Sequence, residues 1–234
     1  MPAIDELGRK GRTASPTFAD GQLPFVSVVV PLRNEGEHIG RCLDALQRQD
    51  YPAHMLEVIA VDGVSTDDTR DVVRSRLPGT RIPIRLLGNP GVTAARGLNI
   101  GIREANGGVI IILGGHSEVA LDFVSRSVDA LWRSEADVVG GRIESVARGA
   151  AGEAIAIAMS SPFGVGDARF RTSDSPGFVD TVAFGAYRRE VFDRIGLFDE
   201  DLERNVDDEF NYRLREAGGH IYLNPAIRSR YYTR

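Results

Sequence analysis

VSVVVPLRNE (Val26–Glu35) and EVIAVDGVSTDDT (Glu57–Thr69) each begin as an apolar, β-branched run and end abruptly in polar and acidic residues. Each is followed by a helical pattern. Val26–Pro31 and Val58–Val61 therefore read as buried strands, and the residues after them as loops at their carboxyl ends. In an open α/β sheet, ligands bind where such ends meet. A site for phosphate alone would call for Gly and Lys in these loops. Two acidic junctions point instead to a nucleotide.

Outward from these junctions the alternation continues. Helices are predicted over Glu37–Gln49, with Ile39, Cys42, Leu43 and Leu46 on one face, and after Val61, where either Ser65 or Thr66 serves as cap. A third strand covers Ile82–Leu87, a helix Gly91–Ala105, a fourth strand Val109–Leu113, a helix Leu121–Ser134 and a fifth strand Asp137–Ile143. Strands alternating with helices of this length imply parallel βαβ units. Further on, the pattern predicts an Ala-rich helix over Gly149–Ser160, a long turn-rich loop over Ser161–Phe178 and a strand Val179–Tyr187. A helix Glu190–Ile195, another from Asn205–Asp208 to Ala217 and a last strand His220–Leu223 complete the chain. The expected organisation is a disordered tail over 1–22, then one α/β domain with a nucleotide half over 23–145 and an acceptor half over 146–234. One continuous sheet should run through both halves.

Composition narrows the class. The chain has 234 residues, 42% hydrophobic, enough for one sizeable core, and a net charge of −5 that argues against a nucleic-acid partner. The single Cys42 cannot form an internal disulfide and sits on an apolar helix face, which suits core packing. No run approaches the ~20 apolar residues of a membrane-spanning helix. Residues 1–22 lack the apolar centre of a signal peptide and read as a disordered tail; the expected location is cytoplasmic.

Six motifs then occur in a defined order. VSVVVPLRNE is followed by EVIAVDGVSTDDT, GVTAARGLNIGI (Gly91–Ile102) and VIIILGGHSEV (Val109–Val119). VDTVAFGAYRREVF (Val179–Phe192) with GLFDE, and NVDDEFNYRLREAG (Asn205–Gly218), close the series. Together they resemble the family 2 glycosyltransferases of GT-A fold, within them the bacterial exopolysaccharide, succinoglycan-type subgroup. That resemblance implies a Rossmann-like, mostly parallel central sheet flanked by helices. It further implies an inverting transferase that moves a hexose from a nucleotide-sugar, with a UDP-sugar favoured. The implied acceptor is a saccharide or polyprenyl-linked sugar at the inner face of the cytoplasmic membrane, with peripheral membrane contact.

The resemblance assigns roles residue by residue. Pro31, Arg33, Glu35, Asp62, Ser65, Arg96 and Asn99 fall at nucleotide-binding positions. Glu35 and Asp62 would accept hydrogen bonds from ribose or base, and Arg96 and Asn99 share a helix face. Ser65 and Asp67 read equally as ordinary helix-capping residues. Asp207 matches the catalytic base at a helix start, with Asp208 and Arg213 at acceptor and leaving-group positions and Gly185 beside the donor sugar. On the long loop, Phe163, Arg169 and Arg171 could contact acceptor or donor.

The departures are as informative. Where the family carries an Asp-x-Asp-like motif, this chain reads Gly114-Gly115-His116-Ser117-Glu118. His116 and Glu118 would share one side of an extended segment, a pair suited to Mn2+ over Mg2+. Val206 also replaces a common Glu or Gln. Two readings stay open: an active transferase, or a catalytically impaired nucleotide-sugar-binding scaffold.

Overall fold

Strand β1 (Val26–Leu32) is buried at every residue except the half-buried Pro31, and β2 (Leu56–Asp62) is buried throughout. Such uninterrupted apolar runs suit parallel strands covered on both faces. A computed structural model describes residues 23–146, 170 and 173–232 of the chain. The expected tail over 1–22, the Ala-rich helix and most of the long loop, with Phe163, Arg169 and Arg171, lie outside the described residues.

β1 pairs in parallel with β2 from Val26↔Leu56 to Leu32↔Asp62, and with β4 (Val109–Ile112) from Val26↔Val109. β3 (Ile84–Gly88) lies beyond β2. These four strands carry the parallel order that the alternation implies. β8 (Ala186–Arg188) then lies antiparallel between β4 and β6 (Val138–Val146). β6 runs parallel to β9 (Ile221–Tyr232), which pairs antiparallel with β5 (Ser117–Val119) and with the short β7 (Gly177–Phe178). A single sheet of order β3-β2-β1-β4-β8-β6-β9-β5 results, and its second half is mixed.

Alternate residues of the strands feed two cores. Val28 and Val30 face helices α1 (Gly36–Gln47) and α4 (Phe123–Ser134), packing with Ile39, Leu43, Phe123 and Val128; α2 (Thr69–Ser75) adds Val73. Val29, Ile59 and Val61 face α3 (Ala94–Glu104), α5 (Arg189–Ile195) and α6 (Val206–Glu216). There Tyr187, Phe192, Phe198 and Phe210 form a continuous aromatic layer, with Phe198 and Phe210 stacked at 4.5 Å. α3 lies close on β1 because Gly101 presents no Cβ, where one would overlap a methyl of Val29.

Beyond the short strands β5 and β7, which were not expected, three elements differ from expectation. α2 begins at Thr69 without a side-chain cap, because Ser65 and Thr66 bond instead to Asn34 in the neighbouring loop. The strand expected over Val179–Tyr187 shortens to β8, since Thr181 and Val182 are drawn towards Asn211 on α6. The last strand extends to Tyr232, eight residues of it paired with β6 across a bulge at Gly141.

At the opposite end of the sheet from the acidic loops, buried Glu57 joins three segments. Its Oε1 accepts from Ser27 Oγ at 2.7 Å, Asn106 N at 2.9 Å and Asn106 Nδ2 at 3.1 Å. Ser27 Oγ in turn accepts from Gly107 N at 2.8 Å. Glu57→Ala should cost about 2–3 kcal/mol in urea unfolding, since it strands buried donors. A loss below about 0.5 kcal/mol, the range of ordinary surface changes, would show that the network adds nothing.

Candidate active site

A cavity of about 520 Å3 opens where β1, β2 and β4 end. Pro31, Leu32, Val61, Leu98, Ile112 and Leu113 give it an apolar wall; Arg33, Glu35, His116, Glu203 and Asp207 supply the polar groups. Its size and its few convergent polar groups match small-ligand sites. Backbone strain gathers on its rim. Val92 (φ 70°) and Phe184 (φ 53°) line it, and Asn34 (φ 54°) and Asn205 (φ 56°) adjoin it. A β-branched or bulky side chain in the left-handed region costs about 1–3 kcal/mol and persists mostly at functional sites.

The loop after β2 holds the loop after β1. Ser65 Oγ accepts from Asn34 N at 2.9 Å, Thr69 Oγ1 from Glu35 N at 2.7 Å and Asp67 Oδ2 from Gly36 N at 3.0 Å. Burial works against ionisation at Asp67, but the hydrogen bonds from Thr69 and Gly36 outweigh it and hold its carboxyl below the usual value. This clamp places Arg33 and Glu35 at the cavity. Glu35 is buried and its Oε1 lies 2.9 Å from His116 Nδ1. Tyr231 of β9 packs edge-on against the His116 ring at 4.6 Å.

Asp207 lines the cavity from the first turn of α6. Burial, with the Asp208 charge second, pushes its carboxyl up to about 6. The buried Tyr187 phenol is raised well above its usual value, by burial first and by the Asp207 charge second, so it stays protonated at neutral pH. Asp208 accepts from Thr181 Oγ1 at 2.8 Å, and Thr181 accepts from Asn211 at 2.9 Å. This chain of bonds fixes the residue beside Asp207.

Of the site residues expected from the sequence, Pro31, Arg33, Glu35, His116 and Asp207 line the cavity, with Gly114 and Val206 at the two departures. Asp62, Arg96, Asn99, Arg213 and Gly185 are engaged elsewhere. Asp62 is buried, accepts from Ser65 N at 3.3 Å and pairs with Arg70 at 3.6 Å. Arg96 faces Glu200 at 3.4 Å. Asn99 exchanges hydrogen bonds of 2.9 and 3.0 Å with the Phe198 backbone, tying α3 to the turn after α5. Arg213 binds Glu209 at 2.9 Å and the Ile195 and Leu197 carbonyls at 2.6 and 2.8 Å. Gly185 makes room for an aromatic ring: a Cβ there would stand 2.8 Å from Tyr187. Phe184 and Glu203 are site residues that the motifs did not single out, although Phe184 immediately precedes the conspicuous Gly185.

The expected metal pair does not converge. Glu118 accepts from Tyr232 Oη at 2.7 Å and lies 4.0 Å from Arg48, while His116 pairs with Glu35. Among the described residues no three His, Cys, Asp or Glu side chains come together to hold an ion. The donor set does not fit the divalent cation that the motif position suggested. No helix among them is long and apolar enough to cross a membrane.

The half-parallel sheet, with a cavity at the carboxyl ends of its parallel strands and a carboxylate from a later helix in the lining, has the GT-A fold of its structural neighbours. The glycosyl transferase family 2 model matches residues 27–196, and the chain belongs to that family. It is 32% identical over 217 residues to a dolichyl N-acetyl-alpha-D-glucosaminyl phosphate 3-beta-D-2,3-diacetamido-2,3-dideoxy-beta-D-glucuronosyltransferase of Methanococcus voltae, covering 90% of this chain and 67% of the relative. It is 30% identical over 209 residues to the succinoglycan biosynthesis protein ExoA of Rhizobium meliloti, covering 88% and 63%. Staphylococcus aureus TarS 1–349 in complex with UDP-GlcNAc superposes with a TM-score of 0.69 at 18% identity, over 89% of this chain and 58% of that one. The mannosyltransferase PcManGT of Pyrobaculum calidifontis, in complex with GDP-Man and Mn2+, gives 0.68 at 23% identity, over 97% and 61%. The chain thus spans about two thirds of the length of these curated relatives, and less of the solved chains.

Proposed function

We propose that this chain transfers a hexose from a nucleotide-sugar, a UDP-sugar before a GDP-sugar, with inversion at the anomeric carbon. The acceptor is a saccharide or polyprenyl-linked sugar presented at the inner face of the cytoplasmic membrane. Asp207 acts as general base. It takes the proton of the acceptor hydroxyl as that oxygen bonds to the anomeric carbon and the bond to the diphosphate breaks. The observation that carries this reading is that Asp207 lines the same cavity as the ends of β1 and β4, with its carboxyl raised to about 6. The nucleoside diphosphate would lie along Pro31, Arg33 and Glu35 in the cavity, and the UDP-GlcNAc and GDP-Man bound by the neighbours TarS and PcManGT support a nucleotide-sugar as donor.

The test is turnover of UDP-glucose, UDP-GlcNAc and GDP-mannose with a panel of polyprenyl-linked sugars, with NMR assignment of the product anomer. An inverted product from one of the donors is the expected result. A retained configuration would remove Asp207 from the role of base. A second reading, a scaffold that binds the donor without turning it over, draws on Gly114 and Val206 at positions where the family carries polar groups. Nucleotide binding with no product from any donor and acceptor would favour it.

A further inference from the structure

Gly114 stands where the Asp-x-Asp-like motif would place a carboxylate, and it offers none. A Cβ there would lie 3.2 Å from the Phe184 ring, which sits at positive φ in the cavity wall. The next acidic side chain along, Glu118, is held by the Tyr232 hydroxyl at 2.7 Å. Tyr232 is itself fixed: its backbone N donates to the His116 carbonyl at 3.1 Å, and Arg41 lies over its ring at 5.4 Å. His116 Nδ1 meets Glu35 at 2.9 Å. Each group expected to ligate an ion is therefore built into a different contact, and the contacts come from three segments of the fold.

Arg33 is the opposite case. It is exposed, lines the cavity, and makes no hydrogen bond or ion pair with any described residue. Elsewhere among the described residues, many arginines are committed: Arg76 to Asp44, Arg85 to Glu104, Arg194 to Asp137 and Arg230 to Glu144. Among the described residues, no other arginine or lysine lines the cavity. A planar guanidinium donates two parallel hydrogen bonds to phosphate oxygens, and does so without displacing any internal partner here.

We infer that this chain binds its nucleoside diphosphate without a divalent cation, with Arg33 at the cavity mouth meeting the charge that a metal meets elsewhere in the fold. This rests on the donor reading above, and deepens it by naming what holds the diphosphate.

Isothermal titration of UDP and GDP into the chain, in excess EDTA and then in Mn2+ or Mg2+, tests it. The expected result is a dissociation constant in EDTA within about threefold of that with metal, a difference under 1 kcal/mol. Arg33→Ala, at an exposed position with no hydrogen bond or ion pair to a described residue, should keep the thermal midpoint and weaken binding in EDTA roughly 10- to 100-fold, the loss of a charge-assisted pair of hydrogen bonds. Gly114→Asp, which adds a carboxylate beside the diphosphate, should weaken binding in EDTA and regain it with Mn2+. Binding that vanishes in EDTA and returns with metal would overturn the inference and leave the donor reading intact. So would an Arg33→Ala protein that binds as wild type does. Absence of nucleotide binding under every condition would overturn the donor reading and this inference with it.

Discussion

Asp207→Asn is expected to lower kcat roughly 10^2- to 10^4-fold, the usual contribution of a positioned general base. Donor binding should change little, because the nucleotide would lie on the β1 side of the cavity. In the wild-type protein kcat/KM should rise with pH through about 6, where the Asp207 carboxyl ionises under burial and the charge of Asp208. Asp208→Asn removes that neighbouring charge and should move the rise to lower pH. The stability effect has the opposite sense to the rate effect. A carboxyl whose ordinary value is 3.8 and that sits at about 6 when folded destabilises the fold as pH climbs through that interval. Asp207→Asn lacks this loss, so its thermal midpoint at pH 7 should equal or exceed that of wild type. A dead enzyme with a raised midpoint would mark a functional residue held at a cost to stability. An active Asp207→Asn protein would remove this residue from the reaction.

Gly141→Ala should be the most damaging small substitution in the sheet. The bulge between Gly140 and Arg142 lets β9 cross β6 so closely that an added Cβ would overlap the Ile227 carbonyl oxygen and stand 2.5 Å from Ile227 Cβ. The obstacle is backbone in a paired strand, which cannot swing aside as a side chain can. Overpacking commonly costs 1–3 kcal/mol, and this case should exceed about 3 kcal/mol. Urea unfolding would measure it. Gly108→Ala, where a Cβ meets nothing within 4 Å, is the control expected to stay within about 1 kcal/mol. Equal stability of the two variants would mean that β9 can shift at the bulge.

The contrast between what the sequence disclosed and what it withheld follows from the kind of interaction involved. β1, β2 and β4 were legible because burial on both faces demands unbroken apolar runs, and α1, α3 and α4 because one-sided burial imposes a helical period. β8 was overestimated because Val179–Tyr187 is apolar enough for a strand, while Thr181 and Val182 obey hydrogen bonds from α6 instead. β5 was not foreseen because three residues carry no periodic signal; its existence depends on β9 arriving from more than a hundred residues away. Of the cavity lining, motif order pointed to Glu35 and Asp207, while the acidic loop after β2 turned out to brace the loop after β1. Asn99 and Arg213 were misleading for a physical reason. A polar residue on a helix can serve a ligand or an internal carbonyl equally well, and here both serve the turn around Ile195–Phe198.

β8 is three residues long, yet it is the seam of the molecule: it hydrogen-bonds β4 on one side and β6 on the other. Cutting the polypeptide near residue 145 would leave β4 as a bare, flat, apolar margin, the kind of surface that templates association between chains. Neither portion is therefore a free-standing unit that could be exchanged between relatives to graft a new acceptor preference. Such chimeras would have to carry β8 and its register with them.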